Sequence, residues 1–236
     1  MFDHVTIRVC DLSASRRCYS LLLDVLEGPS PSDSDLGVEW GDFSITQGEP
    51  TRGLHVGFAA PSREHIARFW QAGVDAGYED DGAPGPRPEY GDDYWGAFLL
   101  DPDGNSVEAA RHDETPGRDL IDHLWVRVSD LAASRRFYER LAPHAGLRLR
   151  DVEGRVHAGG ARSSFALLEG APTRNLHWAF PAASNDAVDA FHADLVAAGY
   201  RDNGAPGERP EYHAGYYGAF VLDPDGTNVE LVCHNR

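Results

Sequence analysis

FDHVTIRVCDLSASRRCY at 2–19 returns as IDHLWVRVSDLAASRRFY at 121–138, and this recurrence decides the fold. Two further blocks repeat in the same order. TRGLHVGF at 51–58 matches TRNLHWAF at 173–180, and GAPGPRPEYGDDYWGAFLLDPDGNSVEAARH at 82–112 matches GAPGERPEYHAGYYGAFVLDPDGTNVELVCH at 204–234. A tandem duplication spans nearly the whole chain. It divides the sequence into units at 1–113 and 120–236, joined by a charged linker at 114–119.

Inside each copy the pattern runs twice more. His4–Val9 alternates polar His4, Thr6 and Arg8 with apolar Val5, Ile7 and Val9, the period of a half-buried strand. Asp11 or Ser13 caps a helix whose apolar face carries Tyr19, Leu22, Leu23 and Leu26. Short strands follow around Gly37–Trp40 and Phe43–Thr46. The pattern restarts at Leu54–Phe58 with a helix from near Ser62, then closes with strands over Gly96–Leu100 and Ser106–Ala110 around the Asp101-Pro-Asp-Gly turn. The expectation is an α+β chain of four βαβββ modules, forming two open, U-shaped mixed β-barrels with the helices outside.

The 236 residues carry a formal charge of −17, and all 21 basic residues are arginine. That charge repels polyanions, so neither nucleic acid nor an anionic membrane is expected as a partner. The absence of lysine excludes Schiff-base chemistry on a lysine side chain and suggests a GC-rich bacterial genome. No apolar run reaches the roughly 20 residues of a membrane helix. The start MFDHVTIRV does not look like a secretory signal, and three cysteines without framework spacing fit a reducing compartment. The expected location is cytoplasmic, as monomer or homodimer.

His4 lies near the start of one inward strand, His55 near the start of another and Glu108 on the last, so all three fall on the inward face. The second copy gives His123, His177 and Glu230. Two imidazoles and one carboxylate on neighbouring strands suit a divalent metal with open coordination positions. Two groupings are open: His4, His55 and Glu108 share one site, or exchanged modules bring His4 to His177 and Glu230. Around these, Tyr90, Tyr212 and His213 are candidate acids or bases. Arg8, Arg127, Tyr94, Tyr216, Trp95 and Tyr217 are candidate substrate contacts. Arg87/Arg209 are expected to pair with Glu89/Glu211 in the same loop.

DHVTIRV with SASRRCY, LHVGF and LDPDGNSVE resemble the vicinal oxygen chelate superfamily of glyoxalases, bleomycin-resistance proteins and extradiol dioxygenases. The resemblance covers nearly the whole chain, twice. It implies metal ligation by His4, His55 and Glu108, and by His123, His177 and Glu230. Glyoxalase I adds a fourth, carboxylate ligand, at a position that Ser44 and Ala166 occupy here. The three-ligand set looks more like that of extradiol dioxygenases, which favours Fe(II), with Mn, Zn, Ni or Co as alternatives. Their catalytic tyrosine position, however, holds Phe98 and Phe220.

Two functions follow. One is a metalloenzyme, dioxygenase-like or lyase/isomerase-like, that binds a small oxygenated substrate. The other is a metal-free protein of the bleomycin-resistance type that sequesters a small molecule, with Trp40, Trp95, Trp125, Trp178 and Tyr217 as stacking surface.

Overall fold

A computed structural model describes residues 1–112, 119–160 and 163–235. The linker expected at 114–119 therefore lies outside the described residues except for Asp119. Each module is a strand, a helix and three strands. The first holds β1 (His4–Val9), α1 (Leu12–Val25), β2 (Ser32–Ser34), β3 (Gly37–Trp40) and β4 (Phe43–Gln47). The second holds β5 (Leu54–Ala59), α2 (Arg63–Asp75), β6 (Asp80–Pro86), β7 (Trp95–Leu100) and β8 (Ser106–Arg111). The third holds β9 (Ile121–Val128), α3 (Leu131–Ala145), β10 (Leu149–Val152), β11 (Arg155–Gly159) and β12 (Ser164–Glu169). The fourth holds β13 (Leu176–Pro181), α4 (Asn185–Ala197), β14 (Arg201–Glu208), β15 (Tyr216–Leu222) and β16 (Asn228–His234).

The helices start where a side chain satisfies an open N–H. Asp11, Ser62, Asp130 and Ser184 accept from Ala14, His65, Ala133 and Ala187 respectively. Tyr19, Leu22 and Leu23 of α1 are buried against Val5, Ile7 and Val9, which leaves the His4, Thr6, Arg8 side of β1 facing away from the helix. The repeated DPDG turns are structural. Asp101 accepts the backbone N–H of Asp103 and Asn105 and the buried Tyr19 hydroxyl, and Asp223 does the same for Asp225, Thr227 and Tyr138.

The strands form two open eight-stranded sheets, ordered β14-β15-β16-β13-β1-β4-β3-β2 and β10-β11-β12-β9-β5-β8-β7-β6. The first module thus pairs with the fourth, and the second with the third. The seams are antiparallel, β1 on β13 and β5 on β9, while β1/β4, β5/β8, β9/β12 and β13/β16 run parallel. The helices pack the other way, α1 on α2 and α3 on α4, within each sequence repeat. A largely continuous apolar core joins both sheets through them. The repeat boundary divides the sequence; both sheets cross it.

The candidate metal centres

Register explains how three side chains meet. In one sheet Glu108, Gly57 and His123 lie side by side on β8, β5 and β9. His55 sits two residues before Gly57, on the same face of the middle strand. The other sheet repeats this with Glu230, Ala179 and His4 on β16, β13 and β1, and His177 on the middle strand. The small residue at the centre of each row matters. A Cβ on Gly57 would overlap the His123 imidazole, and one on Gly96 or Gly218 would overlap the carboxylate of Glu108 or Glu230. Of the two open groupings, the exchanged one is adopted: each cluster takes residues from both repeats.

Within a cluster the three ligand atoms lie within 4.8 Å of one another. His55 Nε2 is 3.1 Å from His123 Nε2 and 3.0 Å from Glu108 Oε2. His4 Nε2 is 3.1 Å from His177 Nε2, and both are within 3.6 Å of Glu230 Oε2. The remaining ring nitrogens are tied back. His123 Nδ1 donates to Asp122 at 2.8 Å and His4 Nδ1 to Asp3 at 2.9 Å. His55 Nδ1 donates to Ser106, whose hydroxyl donates onward to Asp81. His177 Nδ1 lies 2.8 Å from the Asn228 side-chain amide nitrogen, which donates to it, and 3.2 Å from that residue's backbone oxygen. Each Nε2 is therefore turned toward the common point, with outer partners on Nδ1 of the kind that hold metal-ligating histidines in place. Such a donor set fits a first-row divalent cation, with the carboxylate supplying charge.

The electrostatics agree. Burial opposes charge on His123, yet Asp122 and Glu108 overcome it and raise its pKa to about 10. Burial disfavours the Glu108 carboxylate too, but His123 and His55 hold its pKa below the ordinary value. His55 is pushed down by burial, so it stays neutral. His4 is raised against its burial by Asp3, Glu230 and Glu39.

Tyr94 and Tyr216 do not offer their hydroxyls to the cavity. They donate to Oε1 of Glu108 at 3.0 Å and of Glu230 at 2.7 Å, leaving Oε2 for the cluster. Tyr90 lies on the rim, its ring 5.2 Å from Trp125, and the Tyr212 ring lies tilted against that of Tyr216 at 4.8 Å. Burial first, and Glu108 or Glu230 second, keep the Tyr90 and Tyr212 hydroxyls protonated. Phe98 and Phe220 pack on the His55 and His177 rings.

Several expected contacts lie elsewhere. Trp95 and Tyr217 are on the helix side of their strands, because Gly96 and Gly218 take the cleft side. Trp95 carries Arg63 at 4.5 Å, and the Tyr217 hydroxyl donates to Asp189 of α4. Arg8 and Arg127 stand four residues beyond His4 and His123, about 13 Å along an extended strand; both are exposed, and Arg127 donates to the Gly53 carbonyl. Arg87 donates to Ala83 and Pro86 carbonyls and covers Phe98 rather than pairing with Glu89, and Arg209 repeats this over Phe220. His213 bonds His234, which bonds Asp3, so it stands at the far end of a chain leading to His4. Trp40 and Trp178 are fully buried in the core and cannot stack on a ligand. The Ser44 hydroxyl pairs with that of Thr6 at 2.8 Å.

Asp3 and Asp122 are the residues that alternation missed. Neighbours on a regular strand point to opposite faces, yet here both residues of each Asp-His pair reach one cluster. The register skips Asp122, passing from Gly57↔His123 to Phe58↔Ile121, and this bulge turns both side chains to one side. The Asp3 N–H likewise bonds Ala179, the residue that also pairs with His4. The recurrence of Asp-His in both copies was the available signal. His112 and His234 complete the arrangement from the outside, bonding Asp122 and Asp3.

Comparison with known proteins places this geometry in a family. The model of the Glyoxalase/Bleomycin resistance protein/Dioxygenase superfamily matches residues 1–109 and 120–231. Among curated proteins no match is found. Glyoxalase I from Zea mays has a similar solved structure, with a TM-score of 0.71 and 21% identity over 99% of this chain and 92% of that one. A putative dioxygenase from Bacillus subtilis superposes with a TM-score of 0.67 at 11% identity, over 100% of this chain and 85% of that one. At these identities the likeness is one of fold, and the twofold family match carries the membership. The chain belongs to the glyoxalase, bleomycin resistance protein and dioxygenase superfamily.

Proposed function

We propose that this chain is a divalent-metal-dependent enzyme that acts on a small oxygenated molecule, with one metal centre in each sheet. His55, Glu108 and His123 hold one ion; His4, His177 and Glu230 hold the other. The observation that carries this reading is the tying back of all four Nδ1 atoms, which leaves four Nε2 atoms and two carboxylate oxygens converging in two places. A metal-free sequestering protein has no need of that arrangement. Fe(II) is the favoured ion, with Mn, Zn, Ni or Co as alternatives.

A bound cation would supply Lewis acidity and two or three open positions for vicinal oxygens of a substrate. The chain's own residues do the rest. Tyr94 and Tyr216 keep one carboxylate oxygen occupied, so each glutamate offers a single oxygen inward. Tyr90, protonated and at the rim, is placed to donate a proton or hydrogen bond to a substrate oxygen. Trp125 and Phe98 pack against the His55 ring.

The test is elemental analysis of protein purified without chelator, followed by a screen of catechols, α-keto acids and thiol adducts. Two divalent ions per chain and metal-dependent turnover are expected. No bound metal, and no uptake of Fe(II), Mn, Ni or Zn on addition, would overturn the proposal.

A further inference from the structure

The two clefts come from one repeated unit, but their walls have diverged in charge. Strand register gives the equivalences. Ser44 pairs with Thr6 and Glu39, and Ser32 with Glu39. In the other sheet Ala166 pairs with Trp125 and His157, and Arg150 with His157. So Trp125 replaces Thr6, His157 replaces Glu39 and Arg150 replaces Ser32. Gly37, two residues before Glu39, gives way to Arg155. Val156 and Ala158 are buried on the helix side, which turns Arg155 and His157 toward the cleft.

These residues line a cavity of about 310 Å³ that reaches His123. Arg155 stands over the Trp125 ring at 5.4 Å, and the His55 ring is 5.2 Å from the same indole. Trp125 therefore touches both the metal cluster, through His55, and the guanidinium of Arg155. Arg150 Nε donates to His157 Nδ1 at 3.2 Å, which leaves His157 Nε2–H as a further donor. Among the described residues no carboxylate pairs with Arg150, and Arg155 meets only Glu153, an exposed turn residue. Glu89 also borders the cavity, exposed on its rim. In a chain of net charge −17, Arg150 and Arg155 stand together on one wall of this cavity, whose lining also holds Glu89, Glu153 and Asp122, the last bonded to His112 and His123.

We infer that the cleft of His55, Glu108 and His123 takes a small planar molecule bearing an oxyanion, held by Arg150, Arg155 and His157 while its body lies along Trp125 toward the metal cluster. Guanidinium groups bind carboxylate and phosphate through paired N–H donors, so both head groups satisfy the wall. The cleft of His4, His177 and Glu230, with Glu39 and Ser32 in these places, does not accept such an anion. This rests on the proposed function only in treating the cleft as a small-molecule site.

Calorimetric titration of the full chain, as purified and after chelator treatment, with 2-naphthoate, 2-naphthyl phosphate and 2-naphthamide tests it. Both anions should bind at least tenfold more tightly than the amide, weakening with added salt. The R150Q/R155Q variant should lose at least tenfold in anion affinity and keep its metal content. The tighter anion identifies the head group. Equal binding of the amide, unchanged affinity in R150Q/R155Q, or no heat from either anion would overturn the inference. Arginine-dependent anion binding by a chain that holds no metal would uphold it while removing the metal reading.

Discussion

At the residue scale the clearest consequence concerns protons. His123 has its pKa raised to about 10 because Asp122 and Glu108 outweigh the cost of burying the charge. A histidine raised above its unfolded value of about 6.5 stabilises the metal-free fold fully below that pH. This contribution is lost as pH rises through about 10. At pH 7.5 the ring therefore carries a proton that a metal ion must displace from Nε2. Metal titrations at that pH in buffers of different ionisation enthalpy should show release of at least one proton per chain, and affinity falling as pH is lowered. Metal uptake with no proton release would contradict this account. Much of this chemistry was legible in the residues themselves, since all six His and Glu candidates fall in the two clusters. Asp3 and Asp122 were not, because a bulge suspends the alternation by which inward residues were assigned. The roles of Trp95 and Tyr217 were misread for a related reason. One position along β7 or β15 separates the glycine that faces the carboxylate from the aromatic that faces the helix.

At the element scale, hydrophobic period and capping residues located every helix that was sought, and the strands with clear alternation. β6 and β14 were illegible. Their sequences, DDGAPGP and RDNGAPGE, have no alternation and read as loop. They form because each pairs with only one neighbour, through irregular register, at a sheet edge where proline's missing N–H costs little. Caps are where local sequence acts most directly on stability. Ser184 accepts from the Ala187 N–H at the start of α4, whose Val188, Phe191 and Leu195 are buried. Ser184→Ala should cost about 1 kcal/mol, seen as a melting-temperature drop of about 2–4 °C. An unchanged melting curve would show that this cap does not hold the helix.

At the scale of the whole molecule, duplication and pairing are separate facts. The repeat was plain in the sequence, and the open mixed sheets followed from it. Which modules share a sheet was not readable, because β1 presents the same edge pattern to β5 as to β13. That choice is made by long-range seams, β1 on β13 and β5 on β9, while the helices of each repeat stay packed together. The consequence is functional: neither repeat contains a complete cluster. Paired substitutions read this directly as metal bound per chain. His4→Ala with His177→Ala should remove one ion and leave the other, whereas His4→Ala with His55→Ala should remove both. If instead the His4/His55 variant keeps one ion and the His4/His177 variant keeps none, each repeat closes its own site, which would contradict module exchange.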